Sequence, residues 1–158
     1  MDNDEIKITN KDSIKPKHKN EYGAYEYYKY EVVKPKKDGK CQVSIYEIPP
    51  RKASYPYHYH LKNEETFYII SGSGILETPN GNKTISAGDI IFCPTLEKGS
   101  HKIINSSHDE MLVYLDFDTV NYPDIAYYPN SDKVGIILSD EPNKFYKNSE
   151  NVDYYEGE

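Results

Sequence analysis

The sequence predicts an all-β protein, built either as a sandwich or as a barrel. Apolar, β-branched and aromatic residues occur in many short runs along the middle of the chain. Turn-forming residues separate these runs, and Asn80-Gly81 between two apolar runs is a strong hairpin signal. No stretch repeats its apolar residues with the period of a helix. Short strands separated by turns are typical of a sandwich or a barrel.

The predicted strands follow one another from residue 25 onward. Aromatic and β-branched residues predict the first strand, and in the second Cys41, Val43 and Ile45 alternate with polar residues, as in a half-buried strand. A lysine-rich turn, 34–40, joins the two. The predicted strands are 25–33, 41–45, 66–71, 75–78, 83–85, 90–93, 101–105, 111–117 and 133–138. The Tyr-, Pro- and Asp-rich stretch 119–132 is predicted to be irregular.

The length of 158 residues predicts one domain. Residues 1–20 are rich in Lys, Asn and Asp without periodicity, which predicts a mobile N-terminal arm. The domain itself is predicted at 21–138, and 139–158 is expected to be a polar, acidic tail. Hydrophobic residues make up only 37%, but 17 tyrosines and 4 phenylalanines supply large side chains for a core.

Charge and composition exclude several partners. A net charge of −7 argues against nucleic acid, whose binding depends on neutralising phosphates. No apolar run approaches the roughly 20 residues of a membrane span, and the N-terminus has no secretory apolar segment. Cys41 and Cys93 are the only cysteines and form no zinc-binding pattern. We therefore expect a cytoplasmic protein with reduced thiols and no membrane partner.

A His-x-His pair opens the most informative stretch. In an extended strand His58 and His60 point to one face, about 6–7 Å apart, so both imidazoles can reach one ion. A turn after Leu61 would bring Glu65 back toward the same point, and His101 must come from another strand. Three imidazoles and a carboxylate form a plausible site for a divalent first-row metal.

These residues resemble the first signature motif of the cupin superfamily, which is His-x-His, then Glu, then six residues and Gly. His58, His60, Glu65 and Gly72 match it, and the spacing to Gly72 selects Glu65 over Glu64 as the ligand.

The second cupin motif is matched by Gly88, Pro94, His101 and Asn105. Its middle departs from the family, because the usual Pro-x-Gly-x-x-His is stretched between Pro94 and His101, with Gly99 near its end. The departure removes no ligand. The resemblance spans about residues 41–117 and implies a double-stranded β-helix, the jelly-roll barrel of the cupins.

The resemblance implies one divalent transition metal per chain (Zn, Mn, Fe or Ni), held by His58, His60, Glu65 and His101. Such a centre carries a net charge of about +1 and favours small anionic or carbonyl-bearing molecules. Dioxygenase- or isomerase-like chemistry would follow. The alternative is a cupin without turnover that binds a small ligand or acts as a sensor, and the sequence does not decide between enzyme and binding protein.

Other residues receive secondary assignments. In a strand Phe67 and Ile69 point to the same face as Glu65, because side chains alternate between the two faces. This predicts that they line the floor of a ligand cavity. Cys93 is expected to be a small buried apolar residue and Asn105 to hydrogen-bond a turn. His18 and His108 are assigned no role.

Three tyrosines bear on the expected oligomer. Tyr55, Tyr57 and Tyr59 have the opposite parity to the histidines, so they form either a dimer surface or a stripe packed under the chain's own N-terminal strand. We expect a homodimer, because cupins commonly pair and exposed edge strands favour pairing.

Overall fold

The computed structural model describes residues 6–158, and it is built almost entirely from strands. Four short 3₁₀ turns interrupt them, at Lys11–Ser13, Glu97–Gly99, Pro129–Ser131 and Asn148–Glu150. The strands are β1 Lys17–Tyr22, β2 Tyr25–Val33, β3 Cys41–Ile48, β4 Tyr59–His60, β5 Glu65–Ser71, β6 Ser73–Thr78, β7 Gly81–Ser86, β8 Ile90–Cys93, β9 Lys102–Ile104, β10 Leu112–Thr119, β11 Asp124–Tyr128, β12 Lys133–Ile137 and β13 Lys144–Lys147. None of the helical segments in 6–158 has the length and apolar character that crossing a membrane requires.

The strands form one large and two smaller sheets. The large sheet has the order β1-β2-β3-β10-β5-β8, and the smaller ones have the orders β7-β6-β9 and β13-β12-β11-β4. A two-residue bridge joins the small sheets, because His58 and His101 exchange backbone hydrogen bonds of 3.1 and 2.9 Å. The sheets make up the predicted double-stranded β-helix, and the histidine bridge lies at the junction between the two small sheets.

Tyrosines are central to the core, as their number predicts. Tyr46 and Tyr114 are almost fully buried, and their rings stack with centroids 5.3 Å apart. Each phenol keeps a polar partner: the Tyr114 hydroxyl donates to Ser54 Oγ at 3.0 Å, and the Tyr46 and Tyr55 hydroxyls lie 2.9 Å apart. Burying such rings is favourable because the polar tip is satisfied.

The Asn-Gly hairpin is confirmed. β6 and β7 pair from Ser73 opposite Ser86 down to Thr78 opposite Gly81, which leaves only Pro79 and Asn80 in the turn. Gly81 has φ +94°, a conformation that favours glycine.

The prediction of irregular structure for 119–132 is wrong in one place, because Asp124–Tyr128 is β11. It pairs with β12 on one side and with β4 on the other. Pro123, just before this strand, and Asp124, its first residue, have low strand propensity, so propensity alone does not predict it. Pairing on both sides supplies the stabilisation that propensity lacks.

Strands also occur outside the predicted domain limits. β1 begins at Lys17, within the predicted arm, and pairs with β2, whereas β13 lies in the predicted tail and pairs with β12. Every residue of both strands is exposed, so neither shows the apolar alternation on which the prediction relied. The first five residues of the predicted arm lie outside the described residues.

Candidate metal centre

The structure brings the four predicted ligands together around the Glu65 carboxylate. The Nε2 atoms of His58 and His60 each lie 3.9 Å from a Glu65 oxygen, and His101 Nε2 lies 3.3 Å from one. Donor atoms of His58, His60 and Glu65 all fall within 4.8 Å of one another. All four side chains are largely buried.

The two layers of the fold each contribute to this cluster. His58 and His101 face each other in the bridge between the small sheets, with ring centroids 4.8 Å apart, and His60 ends β4. Glu65 begins β5 in the large sheet. The four side chains therefore meet only when the large sheet and the two small sheets are all in place.

Each histidine is held by its Nδ1 atom. His58 Nδ1 donates to the Pro56 carbonyl at 2.8 Å and His101 Nδ1 to the Gly99 carbonyl at 2.9 Å. His60 Nδ1 donates to Asp124 Oδ2 at 2.6 Å. Carbonyl and carboxylate oxygens only accept hydrogen bonds, so the proton sits on Nδ1 and the Nε2 lone pair is left for a metal. Metal-binding histidines are typically oriented in this way.

Asp124 supports the candidate site and was not predicted from the sequence. Its side chain is fully buried, and besides His60 it accepts hydrogen bonds from the backbone N–H groups of Lys62 and Ile125 at 2.9 and 2.8 Å. Its carboxylate thus fixes both the ring of His60 and the turn that leads to Glu65. Only recognition of β11 beside β4 would have suggested it.

The charges in the cluster favour an ionised carboxylate. Burial alone would raise the pKa of Glu65, but the neighbouring His101, His58 and His60 overcome this effect and lower it. Burial lowers the pKa of His101. For His60 burial is again the largest effect and acts in the same direction, but the hydrogen bond to Asp124 and the charges of Glu65, Asp124 and Asp118 together outweigh it, so the pKa is raised. An anionic oxygen beside imidazole nitrogens suits a divalent transition metal.

The stretched second motif folds compactly against this site. Between Pro94 and His101 the chain makes the Glu97–Gly99 turn, preceded by Leu96 with φ +70°. A Cβ at Gly99 would lie 1.7 Å from the Pro94 carbonyl oxygen, so only glycine fits there. The extra residues are therefore taken up in the turn, and His101 still reaches the cluster.

A cavity of about 690 Å³ opens beside the cluster and includes His58, His60 and Glu65 in its wall. Its other charged and polar side chains include Lys29, Gln42, Asn63, Asp116, Asp118 and Lys133, and its aromatic ones are Tyr46, Tyr55, Tyr122, Tyr128 and Phe145. Tyr128 stacks on the His58 ring at 5.7 Å, and burial raises its pKa to about 12. The volume suits a small molecule.

Asp116 and Asp118 are the second feature missed from the sequence. Both lie on the inner face of β10 with 6% exposure, and Asp118 is paired with Glu65 across the sheet. Burial, reinforced by their mutual proximity, raises the pKa of Asp116 well above its usual range. Burial and then the Glu65 charge raise the pKa of Asp118 to about 6. Their burial could have been predicted, because both point to the same face of the strand as the buried Leu112 and Tyr114.

The two predicted floor residues occupy different places. Phe67 lies beneath the cluster, with its ring 5.3 Å from that of His101, and lines a smaller cavity there. Ile69 is fully buried in the hydrophobic core and is not part of the wall of the large cavity.

The lesser predictions agree with the structure. Glu64 is exposed while Glu65 faces the histidines, and Cys93 is buried with its pKa raised by that burial. Asn105 Nδ2 donates to the carbonyls of Ile48 and Glu110, and its Oδ1 accepts from the N–H of Ser107.

The tyrosine stripe does not form a single outer surface. Tyr55 lies against Tyr27 of β2, with centroids 5.2 Å apart, and lines the cavity, whereas Tyr59 stacks on Tyr127 at 5.3 Å. Parity misleads here because the approach to His58 is a series of turns and single bridges rather than a strand.

A double-stranded β-helix with a histidine–carboxylate cluster beside an internal cavity defines a class of small metal-site proteins. The family model described as Cupin domain matches residues 44–118, so this part of the chain is a cupin domain. Comparison with curated protein sequences finds no significant match.

Solved structures give the same fold. A proposed sugar phosphate isomerase from Acidithiobacillus ferrooxidans shares 25% identity over 90% of each chain, with a TM-score of 0.73. A sugar phosphate isomerase of the cupin superfamily from Silicibacter pomeroyi shares 17% identity over 91% of this chain and 94% of its own, with a TM-score of 0.79. A predicted oxalate decarboxylase from Thermotoga maritima shares 21% identity over 73% and 100%, with a TM-score of 0.63.

Proposed function

We propose that the chain is a metal-dependent enzyme that acts on a small anionic, carbonyl-bearing molecule by isomerase-like proton transfer. The observation that carries the proposal is the anchoring of three histidines through Nδ1, which leaves three Nε2 atoms around one carboxylate. His58, His60, Glu65 and His101 would hold one divalent transition metal, with Zn, Mn, Fe and Ni as the candidates.

The donor set fits such an ion. Three neutral imidazoles and one carboxylate leave a net charge of about +1 on a divalent metal. When bound, the metal would polarise a carbonyl oxygen of the ligand. The chain's own residues supply the rest: Asp124 orients His60, and Tyr128 covers the His58 ring on the cavity side.

Two lysines in the cavity wall favour the binding of an anionic ligand. Lys29 and Lys133 are half-buried, and no carboxylate of residues 6–158 lies within ion-pairing distance of either. Their Nζ atoms lie instead over aromatic rings, 5.4 Å from the centroid of Tyr46 and 4.7 Å from that of Tyr128. Cations held this way remain able to attract a phosphate or carboxylate group of a ligand.

Isomerase chemistry is favoured over oxygen chemistry for two reasons. Two of the solved structures, each matching about nine tenths of the chain, are described as a proposed sugar phosphate isomerase and a sugar phosphate isomerase. In addition, buried carboxyl groups line the cavity, so a group able to accept a proton is close to the bound ligand.

The test has two parts. Metal content of protein purified without added metal is measured first, for the parent and for Glu65→Gln. The metal-loaded protein is then incubated in D₂O with phosphorylated aldoses and ketoses, and deuterium uptake beside the carbonyl is followed by NMR. We expect bound metal and exchange with at least one substrate, both lost in Glu65→Gln. Metal with ligand binding but no exchange would favour the non-catalytic alternative, and absence of metal would refute the proposal.

We also propose that the protein forms a homodimer, and that its two copies meet through the outer face of the large sheet. Tyr68, Ile70, Ile90, Phe92 and Phe117 are between 41% and 73% exposed there, and β8 forms an open edge. Exposed apolar patches beside a free edge strand favour association.

Light scattering at tens of micromolar should give a dimer mass for the parent. Phe92→Lys should give a monomer mass, whereas Tyr154→Lys, which alters an exposed tail residue, should not. A parent of monomer mass would contradict the proposal.

A further inference from the structure

Two oxygen atoms of the buried carboxyl pair on β10 lack hydrogen-bond partners. Asp116 Oδ1 and Asp118 Oδ1 are both inaccessible to solvent, and neither has a hydrogen-bond partner in the protein. The other oxygen of Asp118, Oδ2, accepts a hydrogen bond from Gln42 Nε2. Buried polar atoms without partners are costly and rare, so this pair requires an explanation.

The position of the pair indicates what would satisfy it. Asp116 and Asp118 lie two residues apart on one face of β10, and both line the cavity that contains His58, His60 and Glu65. An ionised carboxylate oxygen accepts hydrogen bonds and a protonated carboxyl group also donates one, and a hydroxyl group of a ligand can pair with either. A metal with a net charge of about +1 would draw ligand oxygens toward the histidines. Hydroxyl groups next to those oxygens would then be close to β10.

We propose that Asp116 and Asp118 form a subsite that binds adjacent hydroxyl groups of the substrate, which is therefore a small polyhydroxylated anion. The inference rests on the proposed function, because it takes the cavity as the substrate site. It adds a selection rule: compounds that lack a hydroxyl group next to the carbonyl bind poorly. A site built around hydroxyl donors rejects an analogue without them, since its buried acceptors are then left unpaired.

The test compares pairs of ligands on the metal-loaded 158-residue chain. Ribose 5-phosphate and glucose 6-phosphate are each titrated beside their 2-deoxy counterparts by calorimetry, with the parent, Asp116→Asn, Asp118→Asn and the control Asp109→Asn. Asp109 is an exposed turn residue outside the cavity. Asparagine keeps the shape of the side chain, and circular dichroism checks that the fold is retained.

We expect the parent and Asp109→Asn to bind at least one hydroxylated ligand about tenfold or more tightly than its deoxy partner. In Asp116→Asn and Asp118→Asn this ratio should fall toward one, with the affinity for the deoxy compound little changed. Failure of the parent to bind either hydroxylated ligand, an equal affinity for both members of each pair, or an unchanged ratio in both variants would overturn the inference.

Metal content separates this inference from the proposed function. It is measured for every variant, and the deuterium-exchange assay is run on the parent. Absence of metal refutes the metal centre, whereas retained metal and exchange without hydroxyl discrimination refute only the role of the carboxyl pair.

Discussion

Asp124 offers the sharpest test of how the candidate metal centre is organised, because it is not one of the proposed ligands and still determines which nitrogen of His60 is free. Its carboxylate accepts the His60 Nδ1–H at 2.6 Å and two backbone N–H groups at 2.9 and 2.8 Å. In Asp124→Asn the amide oxygen can still accept the backbone bonds. The amide nitrogen then faces Nδ1 as a donor, so His60 moves its proton to Nε2, the atom that the metal needs.

The expected magnitude follows from these contacts. Loss of a partner that orients a metal-binding histidine typically lowers metal affinity about 10- to 100-fold, which corresponds to about 1.4–2.7 kcal/mol. The metal-free Asp124→Asn protein should lose little stability, since its buried groups keep partners. Asp124→Ala leaves three buried donors unpaired and should cost about 3 kcal/mol or more, at 1–3 kcal/mol for each group.

Chelator competition with Zn²⁺ at neutral pH measures the affinity, and ¹⁵N NMR of the imidazoles reports the His60 tautomer directly. His108→Ala is the matched control, because His108 lies on the exposed side near Arg51 and should leave affinity unchanged. An Asp124→Asn protein whose metal affinity stays within twofold of the parent, with the Nδ1–H tautomer retained, would refute this reasoning.

Three further predictions concern the same region. Glu65→Gln should lose most bound metal while Glu64→Gln keeps it, as measured by elemental analysis; the reverse result would place the motif in the wrong register. In metal-free protein the pKa of Asp118 is raised from 3.8 to about 6, so the native state binds the extra proton and stability falls as pH rises from about 4 to 6. This decline should amount to about 3 kcal/mol in the free energy of unfolding measured with urea, and Asp118→Asn should lack it. If the parent and the variant lose stability in parallel as pH rises, the prediction is wrong. Gly99→Ala, which forces a Cβ onto the Pro94 carbonyl, should lower the melting temperature by several degrees and reduce metal binding. Gly39→Ala, with no approach closer than 3.3 Å, should do neither.

The histidine–carboxylate cluster could be predicted from the sequence because both motifs are local. His58 and His60 lie within three residues of each other, and Glu65 and Gly72 follow at defined distances, so a short stretch places three donors near one point. The strands were predictable for a similar reason. β2, β3, β5 and β8 carry apolar or aromatic residues with strand periodicity, and the β6–β7 hairpin has an Asn-Gly turn.

What supports and surrounds the ligands was decided only by the tertiary structure. Asp124 reaches His60 because β11 pairs with β4, a contact between residues more than sixty positions apart in a stretch that propensity predicts to be irregular. In the sequence, Asp116 is a polar residue of the predicted strand 111–117 and Asp118 follows directly after that strand. They become cavity carboxylates because β10 lies between β3 and β5, with its inner face toward the histidines. Periodicity shows which residues share a face, but the pairing of distant strands determines what that face meets.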